Sequence, residues 1–198
     1  MTVERDSRDR ILEAARREFL VRSYAGATLR AIARAARVTT GALYHHYASK
    51  DELLVEVCLR GLQRLVQRYR TAVELGQGRP AGERLVMMFD AYAAFFVEER
   101  GYYELMEHLD RAREDGAISA QLASRVDAGS AELFATLFAL IHEARPDLAP
   151  AAVRAKGLLL VALADGLLSC QRRGLLGRFD THLGALRAHL PVERLLAD

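Results

Sequence analysis

The residues best suited to contact a charged partner fall in one short stretch: Thr39, Thr40, Gly41, Ala42, Tyr44, His45 and His46. All are small or hydrogen-bonding, and no long hydrophobe interrupts them on the outer face of a helix. Hydroxyls and imidazoles bond phosphates or base edges, an alanine methyl can approach a thymine methyl, and glycine lets the backbone come close. A catalytic pattern is absent by comparison. There is no H-E-x-x-H, no Gly-rich phosphate loop and no nucleophile elbow. His182 and His189 are seven apart and share a helical face, but no further ligands complete a zinc site. No catalytic residue, metal or cofactor is assigned, and an enzyme ranks behind two binding readings.

The elements that must position this stretch are legible around it. Leu29, Ile32 and Ala33 recur at helical spacing, with Thr28 placed to cap their helix. Ala36, Arg37 and Val38 fall where a turn belongs. Thr39 or Thr40 caps a second short helix, in which Leu43 and Tyr47 share the face that packs back on Ile32 and Val38. Ser49 and Glu52 form a capping box that opens a much longer helix. Two short helices joined this way make a helix-turn-helix, whose second helix enters the major groove of DNA. Thr28 and Lys50 are expected on phosphates. The competing reading, a helical hairpin inside a core, does not explain so polar an outward face.

Val38 to Leu53, VTTGALYHHYASKDEL, resembles the signature of the TetR family (tetracycline-repressor-like regulators). With the preceding helix the resemblance covers about the first quarter of the chain. Three positions depart from the family pattern: Arg37 stands where the turn glycine is common, Thr40 where lysine is frequent, and His46 where an aromatic precedes the last aromatic. The resemblance implies an all-α fold of about nine helices. In it an N-terminal three-helix helix-turn-helix domain, residues 1–50, precedes a helical effector-binding and dimerisation domain, residues 51–198. It further implies repression, and homodimerisation through the two C-terminal helices.

Charge distribution agrees. The net charge is only +2, but residues 1–50 hold 10 Lys and Arg against 5 Asp and Glu. The positive excess lies in the segment with the recognition motif, as a phosphate footprint requires. Cys58 and Cys170 form no CxxC pair, the N-terminus is charged, and the longest apolar run is about half the ~20 residues of a membrane span. A reduced cytoplasmic protein without a membrane partner is expected.

Along the chain, residues 1–6 read as a flexible arm and Ser7 to about Arg22 as the first helix. A helix from Ser49 to Leu75 follows the motif, and the Gly76–Gly82 loop ends it. Further helices are expected at 83–99, 102–113, 118–143, 150–173 and 178–190. Met88, Tyr92, Phe95, Phe96, Tyr103, Met106, Phe134 and Phe138 are candidates to line an apolar effector pocket with tyrosine hydroxyls as polar tips. For any single one of them, a place in an ordinary core is the simpler expectation. Asp165, isolated in an apolar run, is expected to pair with Arg172 or Arg173 across a dimer or to meet a polar ligand, the structural pair being favoured. The last two helices carry apolar residues on more than one side, which suggests a partner helix.

These features leave two classes open. One is a dimeric repressor that reads a palindromic operator and is released by a small apolar or aromatic effector. The other is a helix-turn-helix module without a small-molecule ligand, constitutive or controlled by a protein partner. An open cavity or a filled core in the second domain separates them.

Overall fold

The computed structural model describes residues 2–187. Among these the chain is all α: α1 (Thr2–Gly26), α2 (Leu29–Ala35), α3 (Thr40–His46), α4 (Lys50–Leu75), α5 (Ala81–Glu98), α6 (Arg100–Glu114), α7 (Ala120–Ala144), α8 (Pro150–Arg172) and α9 (Leu183–Arg187). No helix among the described residues is long and apolar enough to cross a membrane.

The boundaries follow local chemistry. α1 begins at Thr2, so the arm expected over residues 1–6 is helical from its second residue. Asp6 and Arg10 pair at 3.6 Å across one turn, a spacing that supports a helix running past Ser7. Near its end Ser23 takes φ 59°, ψ 169°, which interrupts the helix before Tyr24. α4 ends at Leu75, as its stripe of Leu54, Val57, Cys58, Leu62 and Leu65 predicts; all five are buried. The expected helix at 178–190 starts late. A 3₁₀ turn occupies Gly177–Phe179, Asp180 is left-handed at φ 49°, and α9 begins only at Leu183. The expected end of that helix, and His189, lie outside the described residues.

The chain forms two compact units, and they do not divide at residue 50. One contains residues 1–64 and 99–130; the other contains Leu65–Glu98 and the chain from Ala131 onward. α4 and α7 each give their first part to one unit and the rest to the other, because both apolar stripes continue past the boundary.

In the first unit Ile11, Leu12, Ala15 and Phe19 of α1 are buried, as are Ile32, Leu43 and Tyr47. From α6, Tyr102, Leu105 and Leu109 are buried in the same unit. Cys58 is buried too, and burial, with the charge of Asp110, pushes its thiol up to about 12, so it behaves as a small hydrophobe. In the second unit the core joins Leu85, Met88, Leu137, Leu140, Ile141 and Val153. Gly157 of α8 permits close packing there: a Cβ at that position would lie 2.5 Å from the Phe138 ring. Leu158, Leu159 and Phe179 are 55%, 63% and 74% exposed.

Candidate nucleic-acid interface

Three side-chain caps set the frame. The Thr28 hydroxyl accepts from the Ala31 N–H at 3.2 Å and starts α2. The Thr39 hydroxyl accepts from the Ala42 N–H at 3.1 Å and starts α3. Ser49 accepts from the Glu52 N–H at 3.0 Å, while the Glu52 carboxylate accepts from the Ala48 N–H at 2.7 Å. The capping box is therefore present, its return bond reaching one residue further back than the motif describes.

The turn between α2 and α3 has a specific form. The Val38 N–H donates to the Ala33 carbonyl at 3.0 Å and the Arg37 N–H to the Arg34 carbonyl at 3.1 Å. Those two bonds, with Arg37 at φ 57°, define a Schellman termination. Glycine is the usual occupant of that left-handed position, and an L side chain there costs about 1–2 kcal/mol. Arg37 keeps the turn and places a guanidinium on its exposed corner.

α3 is anchored by Leu43 and Tyr47, 0% and 1% exposed. Arg8 donates through Nε to the Tyr47 hydroxyl at 3.2 Å and ties α1 to the end of α3. With that face fixed, Thr39, Gly41, Tyr44 and His45 are exposed, and Thr40, Ala42 and His46 are half-buried. The His45 and His46 rings meet edge to face at 5.5 Å. Thr28 is exposed at the head of α2. Of the residues the sequence singles out, Thr39, Gly41, Tyr44 and His45 are thus exposed along α3 and Thr28 at the head of α2.

Lys50 is half-buried, and its surroundings are richer than the sequence shows. Its ammonium lies 4.2 Å from the centre of the Tyr24 ring, and burial holds its pKa below the ordinary lysine value, offset in part by Asp51. The Tyr24 hydroxyl donates to Asp51. Tyr24 and Asp51 are 27 positions apart, so no local pattern reveals the pair.

Three further residues escape the motif. Arg30, Arg34 and Arg37 are exposed, and no ion pair holds any of them among the described residues. The arginines of α1 are engaged instead: Arg8 with Glu56 at 3.3 Å, Arg16 with Glu13 at 3.0 Å, Arg22 with Glu18 at 2.9 Å. A sequence signal for this exists. Between Glu18 and Asp51 there is no acidic residue at all, so Arg30, Arg34 and Arg37 have no carboxylate close in the chain.

Of the pocket candidates, Met88 and Tyr92 line a cavity of about 40 Å³ in the second unit, together with Tyr69, Leu137, Leu160 and Val161. Phe95 and Phe96 are buried against each other at 5.0 Å, with the Arg68 guanidinium over Phe95. Phe134 and Phe138 pair at 5.9 Å, and Phe138 packs on the core. Tyr103 and Met106 belong to the first unit. Within the chain, the Tyr92 hydroxyl of α5 donates to the Asp165 carboxylate, where α5 and α8 pack directly on each other.

Residues 11–57 match the family model described as bacterial regulatory proteins, tetR family. That match spans the helix-turn-helix with the helix before it and the start of α4, about a quarter of the chain. It is 34% identical over 73 residues to the HTH-type transcriptional regulator UidR of Escherichia coli K12, which is 37% of each chain. It is 35% identical over 106 residues to the HTH-type transcriptional repressor KstR2 of Mycobacterium tuberculosis, 54% of this chain and 51% of the relative. The chain thus matches between about a third and a half of the length of these curated relatives. Solved structures extend the likeness in fold. The transcriptional regulator FadR from Bacillus subtilis in complex with stearoyl-CoA superposes with a TM-score of 0.72 at 15% identity, over 95% of this chain and 97% of that one. AibR in complex with isovaleryl coenzyme A and operator DNA gives 0.61 at 19% identity, over 82% and 86%.

Proposed function

We propose that the chain is a cytoplasmic DNA-binding transcriptional repressor, not an enzyme, acting as a homodimer on a palindromic operator. One observation carries the reading. On a helix-turn-helix with no acid between Glu18 and Asp51, Arg30 and Arg34 of α2 and Arg37 of the turn into α3 stand exposed, with no ion pair among the described residues. Unpaired arginines suit phosphates, and the threonines, Tyr44 and His45 suit base edges. Thr28 and Lys50 flank them as further phosphate contacts. AibR bound to operator DNA, and KstR2 named a repressor, support the direction.

Dimerisation follows from α8 and the turn after it. Leu158, Leu159 and Phe179 are large, apolar and exposed, and Ala162 and Gly166 on α8 allow a second helix to come close. A two-fold pair would set two α3 helices about 34–36 Å apart for successive major grooves. Release by a small, largely apolar effector is the regulatory part of the proposal, with the second-unit cavity as its site. The stearoyl-CoA and isovaleryl coenzyme A complexes of FadR and AibR support ligand control in this fold.

A second reading, a regulator without a small-molecule ligand, has one observation in its favour: the cavity is only about 40 Å³. An apolar cavity of about 150 Å³ takes up benzene, so this one is several times smaller than a site for even a small aromatic guest.

Selection from random duplexes with the purified full chain at physiological salt tests the core of the proposal. A palindromic consensus is expected, with affinity falling steeply as salt rises. Binding without consensus, or to half-sites only, would overturn the dimeric operator reader.

A further inference from the structure

Glu56 of α4 divides its carboxylate between two other helices. Its Oε1 accepts from Arg125 of α7, and its Oε2 lies 3.3 Å from the Arg8 guanidinium of α1. The side chain is only 13% exposed, so little water reaches it. Arg8 in turn donates through Nε to the Tyr47 hydroxyl at 3.2 Å. Tyr47 is buried at the C-terminus of α3, where its N–H donates to the Leu43 carbonyl at 2.9 Å. Side chains of the first unit thus run in contact from α7 through α4 and α1 to the end of α3. The two helices that carry Glu56 and Arg125 meet closely beside that pair. A Cβ at Gly129, one turn after Arg125, would lie 2.5 Å from Leu59 of α4.

The division matters because Arg8 serves two partners. A guanidinium pairs most strongly with a carboxylate through two parallel N–H bonds. Arg8 makes no such pair: its Nη2 faces Glu56 while its Nε is bonded to a neutral phenol. Arg125 accounts for this, because it holds the other carboxylate oxygen. Without Arg125, Glu56 can turn both oxygens onto Nε and Nη2 of Arg8. That charge-assisted pair is stronger than the bond to tyrosine, and it leaves the Tyr47 hydroxyl without its donor.

We propose that Glu56 is a positioning residue for α3. Shared with Arg125, it leaves the Arg8 Nε for Tyr47 and so fixes the C-terminal anchor of that helix. The inference rests on the reading of α3 as the helix that meets DNA. Arg125, on α7, then determines how firmly the recognition helix is held.

Amide hydrogen exchange of the full chain, followed by mass spectrometry, tests the relay without DNA. Arg125→Met removes the charge and the donor at a partly exposed position and keeps an apolar stem. Exchange over residues 40–47 is expected to quicken about two- to tenfold, as the loss of one ordinary hydrogen bond allows, with residues 29–35 unchanged. Arg125→Lys, which returns a donor to Glu56, is expected to recover part of the protection. In a Tyr47→Phe background Arg125→Met should add nothing, because the hydroxyl that ends the relay is gone. Unchanged exchange over residues 40–47, equal quickening over 29–35, or an undiminished effect in the Tyr47→Phe background each overturns the positioning role. Fluorescence anisotropy carries the test to DNA. On the operator found by selection, Arg125→Met is expected to bind about two- to tenfold more weakly, with affinity for a random duplex of equal length unchanged. Quickened exchange with unaltered operator affinity overturns Glu56 as a positioning residue for DNA reading. A selection that yields no operator overturns the proposed function instead, and the exchange result still decides the relay.

Discussion

The Lys50 ammonium sits over the Tyr24 ring, 4.2 Å from its centre, where α1 ends and α4 begins. The same ring lies 4.4 Å from the His108 imidazole of α6, and its hydroxyl is bonded to Asp51. One aromatic side chain therefore gathers a lysine from the start of α4, its neighbouring acid, and a histidine from α6. A cation over an aromatic face contributes about 0.5–1 kcal/mol at exposed sites and more when desolvated.

This cluster makes stability depend on pH in a defined direction. Burial first, and then the charges of Arg111 and Lys50, hold the His108 pKa below its ordinary 6.5, with Asp51 opposing. As pH falls through about 6.5 the unfolded chain takes up a proton that the folded chain does not, so the fold loses stability toward the lower folded pKa. Above 6.5 the group is neutral in both states and contributes no slope. Urea denaturation from pH 7.5 to 5 is expected to show a smaller loss of stability for His108→Gln than for wild type. Equal slopes would remove His108 as the source.

The Thr39 hydroxyl is engaged in capping α3, and the residue is exposed on the face proposed to meet DNA. Thr39→Ala is expected to cost about 1 kcal/mol of stability, and Thr39→Ser to recover most of it, because the cap needs only the oxygen. Operator affinity, measured by fluorescence anisotropy, should follow the same order. An alanine variant of wild-type stability would mean that the cap contributes nothing.

Tyr44 separates recognition from folding more cleanly, being 53% exposed. Tyr44→Ala is expected to change stability by no more than about 0.5 kcal/mol, as exposed substitutions usually do. Operator affinity should fall by about 1–3 kcal/mol, the range of a base contact, with the oligomeric state unchanged. Unchanged affinity would place the reading face elsewhere.

Arg37 offers opposite effects on fold and binding. Its φ of 57° is a conformation glycine adopts freely, so Arg37→Gly should stabilise the chain by about 0.5–1 kcal/mol after glycine's extra unfolded freedom is counted. The same change removes an unpaired cation, and the log–log slope of affinity against salt should shrink by about 0.9 if Arg37 meets a phosphate. A destabilised variant would show that the guanidinium holds the turn.

Much of the reader was legible in the sequence because its determinants are local. Thr28, Thr39 and Ser49 each cap within four residues of themselves, and Leu43 and Tyr47 declare their face by spacing. Arg37 was visible as a strained turn residue, and the hydrogen bonds of the Schellman turn show how the chain accommodates it. Contacts made far along the chain left no such mark. Tyr24 read only as the end of a helix, and its bond to Asp51 and its ring contact with His108 depend on tertiary packing. The pocket candidates show the same limit: aromatic and methionine content marks a residue as buried, but does not distinguish Met88 at a cavity wall from Tyr103 in the other unit. Likewise Ser7 read as a helix start, whereas the pairing of Asp6 with Arg10 carries the helix through it.

Because the first compact unit draws on residues 99–130 as well as 1–64, the proposed DNA reader is not a detachable cassette. A fragment ending near residue 64 would lack Tyr102, Leu105 and Leu109, side chains buried in that unit. Recombination that joined this reader to a foreign sensor at a single crossover would discard part of the reader's own core.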